Sequence, residues 1–290
     1  MVMAGLLGKA EDWLAFTDDW KEVLDRQPRV RVFKSSHLTG QSPESAWHKM
    51  SEDERRGRLI ALAGVVGGHG FRAVRASVDT RAFQTALAPM LTDPLNQPYF
   101  FLFYNILWRI AAGLYDEGER QRIEVVFDEQ AHMQPRVKTW YPAMWKVLCL
   151  AARTHPRAAQ IASILPMAPI FRTDDDLLPL QAADLMAAAH RGAMSEGFSL
   201  EWLGTQLPPL RWSIDLDAHQ LGIMVHGALG RPRADQVDST AYALALGLAA
   251  PESAQPRYMR ARAAAFRASR ARISPATPQA LGPGPPEEPG

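Results

Sequence analysis

Arg122-Ile123-Glu124-Val125-Val126-Phe127-Asp128-Glu129 reads as a strand that delivers an acid. From Ile123 to Phe127 the run is nearly continuous in apolar residues, as in a central strand covered on both faces. Asp128 follows directly. In open α/β sheets the carboxyl ends of the strands border the crevice where ligands bind. A carboxylate there either serves chemistry or caps the turn after the strand. Position alone leaves both readings open.

On either side of this stretch, helical and strand patterns alternate. Trp13, Leu14, Phe16, Trp20, Val23 and Leu24 recur at helical spacing over Glu11 to Leu24. Val30 to Phe33 is expected as a short strand. Ser51 with Glu54 makes a capping box for a helix to about Val66, before Gly67, Gly68 and Gly70. Phe71–Val78 is expected as a strand, Thr80–Met90 as a short helix and Tyr99–Tyr115 as a long apolar helix. Pro135–Arg153 is expected as a helix and Gln160–Leu165 as a strand. Pro179 opens an alanine-rich helix to about Met194, and Ala234–Leu248 is the last expected helix. Such alternation implies an α/β domain with helices on both faces of a sheet.

A second acidic segment is Leu180-Gln181-Ala182-Ala183-Asp184-Leu185-Met186. Aspartate is a poor residue for a helix interior, and among small apolar neighbours it needs a metal, a cation or donors. On the other reading Asp184 lies on an exposed stripe with Gln181. Paired carboxylates from a strand end and a packed helix suit Mg²⁺ or Mn²⁺ and phosphoryl transfer, usually with a third carboxylate. Glu129 is adjacent to Asp128 and is a candidate catalytic group. Asp174-Asp175-Asp176 reads as a solvated loop with a helix cap. His132 reads mainly as a surface residue. Lys34 either contacts a phosphate or ends a strand in solvent.

The segments Ala4-Gly5-Leu6-Leu7-Gly8, Phe33-Lys34-Ser35-Ser36, Pro98-Tyr99-Phe100, Val125-Val126-Phe127-Asp128 and Leu178-Pro179-Leu180-Gln181-Ala182-Ala183-Asp184-Leu185 occur in this order. Over roughly residues 3–195 the chain resembles the domain of unknown function 3800 family. The resemblance implies a ribonuclease H-like fold and points to metal-dependent nucleases. It carries Asp128 and Asp184 over as ligands of Mg²⁺ or Mn²⁺. In that family a strand ending in Asp-Glu-Ser-Gly precedes the first segment and supplies the central carboxylate. Here Val2-Met3-Ala4-Gly5 already lies within the segment that follows it. The expected fold is therefore a ribonuclease H-like mixed sheet with helices on both faces and its first strand missing.

Composition bounds the rest. The chain has 290 residues, 32 Lys and Arg, 31 Asp and Glu, and a net charge of +1, which excludes a strongly basic nucleic-acid coat. A single cysteine, Cys149, excludes a disulfide scaffold and a cysteine-rich zinc site. Pro98–Leu107 is too short to span a bilayer, and no signal peptide precedes it. A cytoplasmic protein with no membrane partner is expected. Gly64–Gly70 lacks the Gly-Lys-Ser/Thr of a phosphate loop. Residues 1–250 are expected as one domain. Residues 251–290, with six Arg against three Glu, are expected as a basic and mostly disordered tail. The leading expectation is metal-dependent phosphodiester hydrolysis, inactive if the site is incomplete. The alternative is a non-catalytic nucleic-acid or protein interaction module linked to mobile elements or defence.

Overall fold

The computed structural model describes residues 1–38, 45–90, 96–129, 133–152, 156–191, 193–195, 198–217 and 221. His132, the helix expected over Ala234–Leu248 and the tail at 251–290 lie outside them.

Strand β1 (Val2–Leu7) leads into helix α1 (Ala10–Asp25), which buries Phe16, Trp20, Val23 and Leu24 on one face. Helix α2 (Glu52–Gly68) opens on the expected capping box. Ser51 Oγ accepts from the Glu54 amide at 3.3 Å, and the Ser51 amide donates to Glu54 Oε2 at 2.8 Å. From α2 the buried Arg58 donates to the carbonyls of Leu24, Arg26 and Gln27, closing the carbonyl end of α1. Gly70 then turns the chain at φ +66°, a region that L side chains avoid.

Strand β2 (Arg72–Val78) and the short α3 (Thr80–Ala82) come next, followed by the largely buried α4 (Pro98–Asp116). Strand β3 (Val126–Asp128), helices α5 (Gln134–Ala152) and α6 (Pro156–Ile164) and strand β4 (Ile170–Arg172) form a parallel crossover unit. Helix α7 (Leu178–Arg191), strands β5 (Ala193–Ser195) and β6 (Phe198–Ser199), and strand β7 (Leu210–Leu216) complete the described elements.

The architecture is mixed α/β. Among the described residues the strands form three separate sheets: β1-β2-β7, β3-β4 and β5-β6. In the first, β1 runs antiparallel to β2, and β2 runs parallel to β7. Helices cover both of its faces. Helix α7 packs on β1, with α1 and α2 behind it in one core around Trp20, Leu62, Ala182 and Leu185. Helix α4 packs on the opposite face, where Gly113 lies against the ring of Trp212.

Among the described residues, β1 and β3 each have one edge without a partner strand. Met1 and Val78 exchange backbone hydrogen bonds of 2.9 Å in both directions. By alternation Met3, Gly5 and Leu7 also face β2, while Val2, Ala4 and Leu6 turn their backbone groups away. In β3, Val125 and Glu129 bond to β4, so Val126 and Asp128 turn theirs away. No residue of β1 is fully buried, and α7 touches both β1 and β3.

Four expectations are corrected. Residues 160–165 lie in helix α6 and its end, because the run from Pro156 favours a helix with Pro in its first turn and Ala and Gln behind it. Val30–Phe33 forms no strand, since the Phe33 amide bonds to a side chain instead. Strand β3 spans three residues, and Val126 and Phe127 are only half-buried, since among the described residues one edge of β3 has no neighbouring strand. Helix α7 stops at Arg191 rather than near Met194, because Ala193–Ser195 pairs as a strand with Phe198–Ser199.

Candidate functional site

Parallel pairing puts the carboxyl ends of β3 and β4 side by side. Asp128 is the last residue of β3, and Thr173-Asp174 follows the last residue of β4. Helix α7 begins four residues after Asp174 and brings Gln181 and Asp184 to the same place.

Gln181 is fully buried and makes three hydrogen bonds. Its Oε1 accepts from Trp20 Nε1 at 3.1 Å and from the Phe33 amide at 3.0 Å. Its Nε2 donates to the Asp174 carbonyl at 2.8 Å. Three residues further along α7, hence on the same face, Asp184 accepts from the Ser35 amide at 2.6 Å and from Ser35 Oγ at 3.0 Å. Helix α7 thus grips alternate residues, Phe33 and Ser35, of the 33–35 segment. Lys34 lies between them. Its Nζ stands 3.0 Å from Asp174 Oδ1.

These groups share one electrostatic environment. Burial raises the Asp128 carboxyl above the usual aspartate value. Asp174 and Asp184 add to the shift, and Lys34 opposes it. Burial also raises Asp184, against the pull of its Ser35 donors. Burial works against the Lys34 ammonium, but Asp174, with Asp128 and Asp175, holds its pKa above the usual lysine value. Burial and the neighbouring Lys34 lower His37, and burial beside Asp128 pushes Tyr99 up to about 12.

The structure brings Asp128 and Asp184 into one charged neighbourhood. It sets Glu129 apart: Glu129 lies beside α5, where the Gln134 side-chain amide, with its nitrogen turned towards Glu129, donates to Oε1 at 2.7 Å. Asp174 corrects the reading of residues 174–176 as a solvated loop. Its side chain is buried because Gln181 draws its carbonyl inward and Lys34 holds its carboxylate. Gln181 itself, which one of the two readings left open placed on an exposed stripe, is fully buried. The signal for Asp174 was its place just beyond a strand that the sequence did not reveal.

A raised carboxyl pKa has a consequence for stability. The folded state keeps the Asp128 proton to higher pH than the unfolded chain does, so stability falls as pH rises through that window. Asp128→Asn removes the penalty. Thermal unfolding should show the variant melting above wild type at about pH 7, with the gap closing towards about pH 3. A gap that is independent of pH would remove Asp128 as its source.

The donors suit a hard divalent cation in kind, since all three acids offer carboxylate oxygen. Their arrangement does not. Among the described residues no group of three or more His, Cys, Asp or Glu side chains is gathered to hold a metal ion. Both Asp184 oxygens are held by Ser35, and one Asp174 oxygen is held by Lys34. No helix of the described residues is long and apolar enough to cross a membrane.

No known family model, curated protein or solved structure matches this chain. The resemblance to the domain of unknown function 3800 family rests on the quoted segments alone.

Proposed function

We propose that the chain is a phosphodiester hydrolase acting on nucleic acid, with Asp128, Asp174 and Asp184 as its acidic centre. One observation carries the reading. Three carboxylates, from a strand end, the turn after a second strand and a packed helix, interact electrostatically, and Lys34 acts on two of them, Asp128 and Asp174. Asp128 is the most open of the three, and its raised pKa suits a group that takes the proton of an attacking water. Lys34 Nζ, on a side chain 41% exposed, faces the same space and can meet an anionic phosphate oxygen. Mg²⁺ or Mn²⁺ enters this reading as a cation drawn from solution with the substrate.

The test uses single- and double-stranded DNA and RNA oligonucleotides, with and without Mg²⁺ or Mn²⁺. Asp128→Asn should cut cleavage by about a hundredfold, the range of a lost general base, while circular dichroism stays unchanged. Equal cleavage by variant and wild type sinks the proposal.

A second reading is favoured by the chain's own donors on Asp184 and Asp174. On it the acids are structural, and the protein is a non-catalytic interaction module. Nucleic-acid or protein binding would then survive both chelation of divalent ions and Asp128→Asn.

A further inference from the structure

The unpartnered edges of β1 and β3 lie between the same two helices. Helix α7 packs on β1 and on β3. Helix α4 packs on the other face of β1, and its Phe103 ring meets Phe127 of β3 at 4.6 Å. Among the described residues the two strands do not pair with each other. We propose that the space between them is a docking slot for one extended strand of another polypeptide, apolar along its length and carrying a lysine or arginine at the end beside Asp128. The inference gives the interaction-module reading its partner, and it stands on the strand edges whether or not the chain cleaves nucleic acid.

Width is the first observation. Bonded strands lie about 4.8 Å apart, and a helix is about 10 Å across. Two strands under one helix that do not pair are therefore about two spacings apart, which leaves room for a single strand. The second is the backbone. Val2, Ala4 and Leu6 turn their N–H and C=O groups away from β2, and Val126 and Asp128 turn theirs away from β4. The two bare ladders border one space, and an extended backbone meets both at once. The third is burial. Val2–Leu7 is uncharged and covered by helices on both faces, yet no residue in it is buried, and Val126 and Phe127 are half-buried. Solvent reaches them from the edge. A strand in the slot has helices above and below it, the setting of a strand that is apolar throughout. The fourth is charge. Phe127 turns to α4, so by alternation Asp128 turns to the α7 side, where Asp174 and Asp184 act on it. Lys34 acts on Asp128 and Asp174, and Arg191 acts on Asp184. Two cations thus answer three carboxylates, and the slot ends on the unanswered charge. A cation on the incoming strand is matched there, and a carboxylate is repelled.

The probes are capped, fluorescein-labelled peptides of alternating Val and Ala, matched to the six residues of β1 and carrying a Lys at one terminus or the other. The two versions cover both strand directions. Fluorescence anisotropy on the full chain should show one Lys peptide binding at least about tenfold more tightly than the same peptide with Glu in place of Lys. Amide hydrogen exchange shows where it sits. In the chain alone the amides of Ala4, Leu6, Val126 and Asp128 should exchange fast while those of Met3 and Gly5 are protected, and saturating peptide should slow the first set. Ala4→Pro removes an N–H that β2 does not use, and should abolish binding with circular dichroism unchanged. A peptide N-methylated at alternate residues repeats that test should the proline variant fold poorly. Failure of both Lys peptides to bind overturns the inference, as does a Glu peptide that binds as tightly. Protection of the four amides in the chain alone would mean that a second copy or another part of this chain already fills the slot, and overturns it as well. None of these readouts involves cleavage, so the hydrolase reading keeps its own separate test.

Discussion

Gln181→Ala should destabilise the protein by about 4 kcal/mol, the largest loss expected from any single polar side chain in the site. The substitution leaves the Trp20 indole N–H, the Phe33 amide and the Asp174 carbonyl without their partner. Each buried group stranded in this way costs roughly 1–3 kcal/mol, and relaxation recovers part of the sum. The damage also spreads to the site. Phe33 and Asp174 are the neighbours that hold Lys34 and its carboxylate in place. On the proposed hydrolase reading, cleavage should therefore fall with stability, and it should stay low at temperatures where the variant is still folded. Chemical denaturation gives the free energy. A cost below about 1 kcal/mol would show that water or a shifted side chain replaces Gln181 at no loss. Gln181→Met, close in volume, should recover packing but not the hydrogen bonds, and so remain well below wild type.

Gly113→Val should cost about 3 kcal/mol through overpacking. Gly113 lies in α4 where the helix meets β7. A Cβ built there would stand 2.3 Å from Trp212 Cε2 and 2.5 Å from its Nε1. No relaxed contact is that short, so the helix must lift or the ring must turn. Trp212 is only 6% exposed and has little room to turn. The partner of this clash is a single ring, which makes the cause testable. Trp212→Leu alone should also destabilise, by opening a cavity. Combined with Gly113→Val, the total should fall short of the sum of the two by about 1 kcal/mol or more. Strict additivity would locate the cost elsewhere.

The fold was legible where local chemistry sets it. The periodicity of Trp13 to Leu24, the Ser51–Glu54 box and the apolar run after Pro98 each describe a helix that forms for its own reasons. Legibility failed where a distant side chain overrides the local pattern. Phe33 looks like strand because it is extended and apolar, yet its amide bonds to Gln181, 148 residues away. Residues 160–165 looked like strand because their helical spacing is short and broken by Ser and Gln. Strand β7 was not expected, and it completes the first sheet through Trp212, Ile214 and Leu216. In the site, Asp128 and Asp184 could be picked out because each is an acid in apolar surroundings. Asp174 sits in a triplet of acids and carries no such contrast. Only the parallel pairing of β3 with β4 reveals that it shares an end of the sheet with Asp128.

The outward-turned backbone of Val2, Ala4 and Leu6 also bears on how the molecule behaves in a crowd. Proteins ordinarily guard a bare strand with lysine, proline or a bulge, so that it does not recruit a stranger's backbone. Strand β1, Val-Met-Ala-Gly-Leu-Leu, has none of these. It is uncharged, regular and apolar, the composition that seeds sheet growth from one chain to the next. Its guard is steric: α7 on one side and α4 on the other restrict what can approach. Colloidal behaviour is thus tied to the docking of two helices, and a change that loosens α7 exposes a sticky ribbon as well as disturbing the acids.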